Sequence, residues 1–178
     1  MARYGMLMNT TKCVGCFACR VSCQMQNELP VKESFIKFYE KELGVFPNVK
    51  NEIIPVQCQH CEDAPCASVC PTKATYVTKD GIVLVDEERC IGCKYCMVAC
   101  PYNARIHSEE TGCVEKCRFC AELVAEGKQP ACVSTCISNA RIFGDLDDPN
   151  SDVSKAIIKY NAKPLRPDLG KAKIYYVR

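Results

Sequence analysis

Apolar positions along this chain come in short alternating runs rather than in long stripes. The segment 34–40 (S-F-I-K-F-Y-E) alternates weakly, as a strand with one covered face does, within a connector spanning residues 24–57. Phe46-Pro47-Asn48 follows it and reads as a turn. Two β-branched or alternating runs flank Asp80-Gly81 in Y-V-T-K-D-G-I-V-L-V-D (76–86), which predicts a hairpin. Toward the end, Asp147 or Asp148 is placed to cap a short helix with Pro149 in its first turn. Val153, Ile157 and Ile158 give that helix an apolar face, and K-I-Y-Y-V (173–177) reads as a strand. No apolar run approaches the roughly 20 residues that cross a bilayer, the longest being stretches such as Ile82–Val85, so no direct membrane span is expected.

Charge adds only exclusions. The 23 basic and 21 acidic residues leave a net charge of +2 and are scattered, which gives no reason to expect nucleic acid. There is no Gly-rich nucleotide fingerprint, no Ser/His/Asp set and no paired carboxylates, so no substrate chemistry is expected of the chain itself. Two histidines make a bis-histidine haem an unattractive reading. The N-terminus, M-A-R-Y-G-M-L-M-N-T, has neither an apolar signal core nor twin arginines, so any membrane attachment is expected to come from another subunit.

Cysteine changes the picture. Of the 17 cysteines, sixteen fall in four groups: Cys13, Cys16, Cys19 and Cys23; Cys58, Cys61, Cys66 and Cys70; Cys90, Cys93, Cys96 and Cys100; and the looser Cys117, Cys120, Cys132 and Cys136. The third group ends in Cys100-Pro101 and matches the bacterial ferredoxin run in full; the second ends in Cys70-Pro71 with a wider gap before Cys66. A tight loop of three thiolates wraps one face of a 4Fe-4S cube, and the fourth cysteine, beyond a three-residue gap, serves the neighbouring cube.

Applied to the whole chain, this exchange predicts four 4Fe-4S clusters. They are held by Cys13, Cys16, Cys19 and Cys136; by Cys23, Cys117, Cys120 and Cys132; by Cys58, Cys61, Cys66 and Cys100; and by Cys70, Cys90, Cys93 and Cys96. The fold class expected is α+β, with two nested bacterial-ferredoxin-like modules related by a pseudo-twofold axis. Residues 1–50 and 101–145 form the outer module, 51–100 the inserted one, and 146–178 a C-terminal docking tail or a helix packed on the cluster domain. Four cubes in a line make an electron wire.

Other uses of cysteine stay in view. Paired C-x-x-C spacing in a chain of this length argues against a disulfide framework. A structural zinc scaffold explains the pairs but not the third cysteine two residues on, nor the trailing Cys-Pro; it predicts a colourless protein, where iron-sulfur clusters give a brown one. Cys113 has no spacing partner and reads as a small buried hydrophobe. His60, between Cys58 and Cys61, is placed to tune a cluster by a hydrogen bond, and ligation by it is not expected because four thiolates are already complete.

The phrases K-C-V-G-C-F-A-C, C-Q-H-C-E-D-A-P-C-A-S-V-C-P-T, D-E-E-R-C-I-G-C-K-Y-C-M-V-A-C-P-Y, K-C-R-F-C, A-C-V-S-T-C and G-D-L-D-D-P carry a resemblance that runs from about Tyr4 to Tyr176. The chain resembles the four-cluster iron-sulfur electron-transfer (beta) subunits of the dimethyl sulfoxide reductase superfamily of molybdopterin oxidoreductases. Its G-D-L-D-D-P and K-P-L-R-P-D-L-G ending is most similar to subunits of polysulfide, thiosulfate and respiratory arsenate reductases.

That resemblance implies a large molybdopterin catalytic subunit holding molybdenum or tungsten, and often a membrane quinone-binding subunit. The Cys13, Cys16, Cys19, Cys136 cube would face the catalytic subunit and the Cys70, Cys90, Cys93, Cys96 cube the quinone side. It also implies export of the folded complex to the extracytoplasmic face of the cytoplasmic membrane, or a cytoplasmic location where the partner has no export signal. A hydrogenase or formate dehydrogenase is the alternative partner. Two departures stand out: Ile137 follows Cys136 where the family has proline, and Cys113 occupies a position the family fills with another residue.

Overall fold

The computed structural model describes residues 2–169 and 171–178; Met1 and Gly170, the last residue of the K-P-L-R-P-D-L-G phrase, lie outside the described residues. Strand β1 (Tyr4–Asn9) is the spine of a three-stranded sheet. It runs antiparallel to β8 (Arg141–Asp145), with Met8 opposite Arg141, and parallel to β9 (Ile174–Val177), with Met6 opposite Ile174. Met6, Leu7 and Met8 are all at most 1% exposed because both faces of this sheet are covered. Leu7 packs with Val153 and Ala156 of helix α6 (Asp152–Tyr160), while Met6 and Met8 face the layer of cysteine loops. A strand buried on both faces loses the alternation that would reveal it, which is why M-L-M in β1 gave no sequence signal.

The cysteine loops carry very short helices. Helix α1 (Ala18–Gln26) packs against α5 (Ala131–Ser134), and α2 (Pro65–Ser68) against α3 (Tyr95–Val98). Hairpin β4 (Thr75–Val77) and β5 (Val83–Val85) forms around Asp80-Gly81 as its pattern predicts, with Gly81 at φ 74 in the turn. A second hairpin, β6 (Arg105–His107) and β7 (Val114–Lys116), rests on α3 and β5. Helix α4 (Ala121–Ala125) links Cys120 to the loop before Cys132. This mixture of short helices and strands agrees with an α+β class.

Two expectations need correction. The connector is not one strand and a turn but a long hairpin, β2 (Lys37–Val45) against β3 (Asn48–Val56), closing at Phe46-Pro47. Its far half is exposed on both faces, so the N-V-K-N-E stretch of β3 carries no period to read. At the other end, the cap of α6 is Ser151 rather than Asp147 or Asp148. The Ser151 Oγ accepts from the Ser154 N–H at 3.2 Å and donates to the Asp145 carbonyl at 2.6 Å, which starts the helix after Pro149. Val153 is fully buried on its inner face, whereas Ile158 is 78% exposed.

Candidate metal centres

The first C-x-x-C pair of each of the four groups shares one backbone device. In each, the residue before the second cysteine is left-handed: Gly15 (φ 66), His60 (φ 45), Gly92 (φ 65) and Phe119 (φ 54). Two of these are glycines because space demands it as well: a Cβ on Gly15 would stand 2.5 Å from Ile53 Cδ1, and one on Gly92 2.5 Å from the Gly112 carbonyl oxygen. The other two, His60 and Phe119, bear a conformation that costs on the order of 1–2 kcal/mol for a residue with a side chain. They stack on each other, centroids 3.7 Å apart at 15°, and both are essentially buried, so tertiary packing holds each in place.

A second device follows the fourth cysteine of three groups. Lys73, Asn103 and Asn139 are left-handed, and each donates its N–H to the carbonyl of the cysteine three residues earlier, Cys70, Cys100 and Cys136, at 3.2 Å in every case. The turn at Cys136 is therefore the same as the turns at Cys70-Pro71 and Cys100-Pro101, although Ile137 stands in place of proline.

These loops gather cysteines from distant parts of the chain. Cys13, Cys16 and Cys19 line one pocket together with Cys136; Cys23 lines a second with Cys117, Cys120 and Cys132; Cys70 lines a third with Cys90, Cys93 and Cys96. Cys58, Cys66 and Cys100 are the thiols that act on Cys61. The sets also have an order. Cys19 acts on Cys23, Cys58 on Cys117, and Cys66 on Cys96, so the sets adjoin in the order Cys13 set, Cys23 set, Cys58 set, Cys70 set.

Among the described residues, no three Cys, His, Asp or Glu side chains stand close enough to share one metal ion. Thiols brought to a shared pocket but too far apart for one ion suit a polynuclear iron-sulfur group, whose irons keep their ligands apart, better than a single tetrahedral zinc.

Burial dominates the electrostatics. It pushes the Cys23 thiol up to about 12, helped by Cys132 and Cys120, and pushes Cys61 up to about 12, helped by Cys58 and Cys66. Cys117 and Cys132 are raised for the same reason. At Cys70 and Cys136 burial acts in the same sense but is outweighed by donors, and both lie below the usual thiol value: Thr75, Thr72 and Ala74 surround Cys70, and the Ala140 N–H reaches the Cys136 sulfur at 3.3 Å. Since metals bind the thiolate, loading the buried sets releases protons.

The His60 Nδ1 accepts from the Val83 N–H at 3.1 Å, its Nε2 is buried without a partner, and burial with the nearby Lys116 holds the ring well below the usual histidine range. Cys113 is buried with its thiol 3.5 Å from the Glu87 carbonyl, as a small buried hydrophobe would be. Sequence reading passed over four buried cations, Arg105, Lys116, Arg141 and Lys173, each at most 3% exposed. A signal for two of them exists: the phrase N-A-R-I occurs at 103–106 and again at 139–142, beginning three residues after Cys100 and Cys136.

Comparison with known proteins bears on the same residues. The 4Fe-4S dicluster domain family matches residues 49–146, and a second 4Fe-4S dicluster match covers residues 12–74. The chain is 40% identical over 172 residues to a tetrathionate reductase subunit of Salmonella typhimurium, covering 94% of this chain and 69% of the relative. It is 44% identical over 149 residues to the thiosulfate reductase electron transfer subunit of Salmonella typhi, covering 82% and 78%. With a polysulfide reductase chain of Wolinella succinogenes it shares 40% over 169 residues, covering 93% and 87%. Matched across nearly its whole length and through every cysteine loop, this protein belongs to the 4Fe-4S dicluster family of iron-sulfur electron-transfer subunits of the dimethyl sulfoxide reductase superfamily.

Proposed function

We propose that this chain relays single electrons through four 4Fe-4S clusters between a quinone-side redox partner and a molybdopterin catalytic subunit of a respiratory reductase. Each cluster, when bound, takes up and releases one electron at a time. The observation that carries the reading is the gathering of four cysteine quartets, three of them each lining one pocket, from segments as far apart as Cys13 and Cys136. The ligand sets are those of the exchange rule: Cys13, Cys16, Cys19 and Cys136; Cys23, Cys117, Cys120 and Cys132; Cys58, Cys61, Cys66 and Cys100; Cys70, Cys90, Cys93 and Cys96.

The protein's own groups hold and shield. Backbone N–H groups and hydroxyls stabilise Cys70 and Cys136, while burial keeps water from Cys23, Cys117, Cys120 and Cys132. Exposed cysteines occur only in the two terminal sets, Cys16 in the first and Cys93 in the last, which supports a line whose ends meet partners. The pairing of α1 with α5 and of α2 with α3 supports two nested modules about a pseudo-twofold axis, with 51–100 inserted between 1–50 and 101–145.

The partners proposed are a large molybdenum or tungsten catalytic subunit at the Cys13 end and a membrane quinone-binding subunit at the Cys70 end, with residues 146–178 contributing to docking. Among the described residues no helix is long and apolar enough to cross a membrane. The complex is proposed to act on the extracytoplasmic face of the cytoplasmic membrane. Elemental analysis of the native complex, purified without oxygen through this chain, tests the reading. About sixteen iron per copy of this protein, in addition to those of partners, with molybdenum or tungsten, is expected. Roughly four zinc with little iron would overturn it in favour of a scaffold, and iron without either heavy metal would move the partner to a hydrogenase.

A further inference from the structure

Arg105, Lys116 and Arg141 are buried cations, and among the described residues none makes a salt bridge to a carboxylate. An uncompensated buried charge costs several kcal/mol, so their surroundings need an explanation. Arg141 lines the pocket of the Cys13 set, and its Nη1 lies 3.7 Å from the sulfur of Cys132, which belongs to the Cys23 set. Gln57 Oε1 accepts from the same nitrogen at 2.7 Å, while Nη2 is buried without a partner. Arg105 repeats this one module away. Its Nη1 donates to Thr75 Oγ1 at 3.3 Å, its Nη2 is likewise buried without a partner, and the thiols facing it are Cys66 of the Cys58 set and Cys96 of the Cys70 set.

Lys116 occupies the gap between these two. Its Nζ donates to the Val83 carbonyl and, at 2.8 Å, to the Cys117 carbonyl, and the thiols that act on it are Cys58 and Cys66 of the Cys58 set and Cys117 of the Cys23 set. Each junction in the order of quartets thus holds one cation: Arg141 between the first and second, Lys116 between the second and third, Arg105 between the third and fourth. The two arginines come from the repeated N-A-R-I phrase and begin the equivalent strands β8 and β6.

We propose that Arg141, Lys116 and Arg105 form a ladder of buried cations, one at each junction, that sets the reduction potentials of the two metal groups flanking it. The inference rests on the four-quartet reading above. Reduction adds one negative charge at a site that is already anionic, and potentials of such groups respond to net charge, to hydrogen bonds at sulfur and to exposure. A fixed cation shared by two neighbours favours the reduced form of both, and partial charge repulsion between neighbours is offset at the place where it is strongest. A purely structural role predicts loss of stability on substitution without a paired change in potential.

Redox titration of the native complex, followed by electron paramagnetic resonance, separates these. In Arg141→Gln, two of the four potentials fall, and in Arg105→Gln the other two fall. Each changes the oxidised-to-reduced ratio by about tenfold, which for one electron is about 59 mV. Lys116→Gln moves one group from each pair, and Arg141→Lys, which keeps the charge, restores most of the shift. Four potentials that move together, or not at all, in complexes that retain about sixteen iron would overturn the ladder while leaving the quartets intact. An iron content far from that in the unmodified complex sinks the quartet reading and the ladder with it. If a variant does not load, the unmodified complex labelled with ¹⁵N-arginine decides: hyperfine coupling from guanidinium nitrogen to reduced clusters is expected, and its absence would also overturn the ladder.

Discussion

In the outer region of the molecule, Cys13–Cys23 and Cys117–Cys136, the loops lie under the three-stranded sheet, and the whole set Cys23, Cys117, Cys120 and Cys132 is buried. In the inner region, Cys58–Cys100, support comes from two hairpins of three-residue strands and from helices of a single turn, and Cys93 is exposed beside Ile91 (66%) and Tyr95 (63%). Yet the left-handed residue before the second cysteine and the turn after the fourth recur in both regions. The loop geometry is thus local and needs little core, whereas the burial that surrounds it is supplied by the rest of the chain. Since exposure helps set the potential of an iron-sulfur group, the same loop can serve at a protected position or at an accessible end.

Cysteine substitution tests this contrast most severely. Cys132→Ser places an altered ligand in the buried outer set, and little loaded, folded chain is expected. Cys93→Ser is expected to lose at most about four of about sixteen iron while the chain persists, as read by iron content and by yield after gel filtration. Equal collapse of both variants would erase the distinction.

Phe119 joins the two regions, being 1% exposed, stacked on His60 and edge-on to Phe143. Phe119→Ala should destabilise the fold by about 3–5 kcal/mol, measured by the urea midpoint of the loaded protein, and loosen the inner region from the outer one. A loss below about 1 kcal/mol would mean the site collapses around the gap and the joint is elsewhere.

A smaller effect concerns Tyr176, whose hydroxyl donates to the Pro55 carbonyl at 3.1 Å and ties β9 to the long hairpin. Burial pushes its phenol up to about 12, above the ordinary value of 10.0. A folded-state value above the unfolded one gives a contribution that is complete below about pH 10 and lost as pH rises through about 12. Tyr176→Phe should cost about 1 kcal/mol at neutral pH and flatten the fall in melting temperature on the alkaline side. An unchanged alkaline profile would locate that dependence in other groups.

The smallest change has the opposite sign. The turn after Cys136 matches those after Cys70 and Cys100, and no backbone hydrogen bond from the Ile137 N–H is present among the described residues. Ile137→Pro should therefore be accepted and should stabilise the fold by about 0.4–1 kcal/mol through the unfolded state. A lowered melting temperature would show that the outer turn differs from the inner ones.

Much of the candidate site was legible because iron-sulfur ligation depends on short sequence spacing. The C-x-x-C groups, the Cys-Pro turns and the Asp80-Gly81 hairpin are local, and local geometry leaves its mark in consecutive residues. The cap at Ser151 was misread because Asp147 and Asp148 are equally good capping residues, and only the bond of Ser151 to Asp145 across to β8 selects among them. The second strand of the long hairpin was missed because its partner, not its own pattern, makes it a strand.

The sequence by itself determined the family, the four cysteine groups and which residue types meet the metal, since a thiolate loop closes over a few residues whatever surrounds it. Tertiary structure alone decided which thiols are buried, the order in which the quartets adjoin, and the placement of Arg141, Lys116 and Arg105 at the junctions. Those properties come from residues far apart in sequence: burial and Coulomb interaction depend on distance in space, and a linear spacing rule carries no information about it.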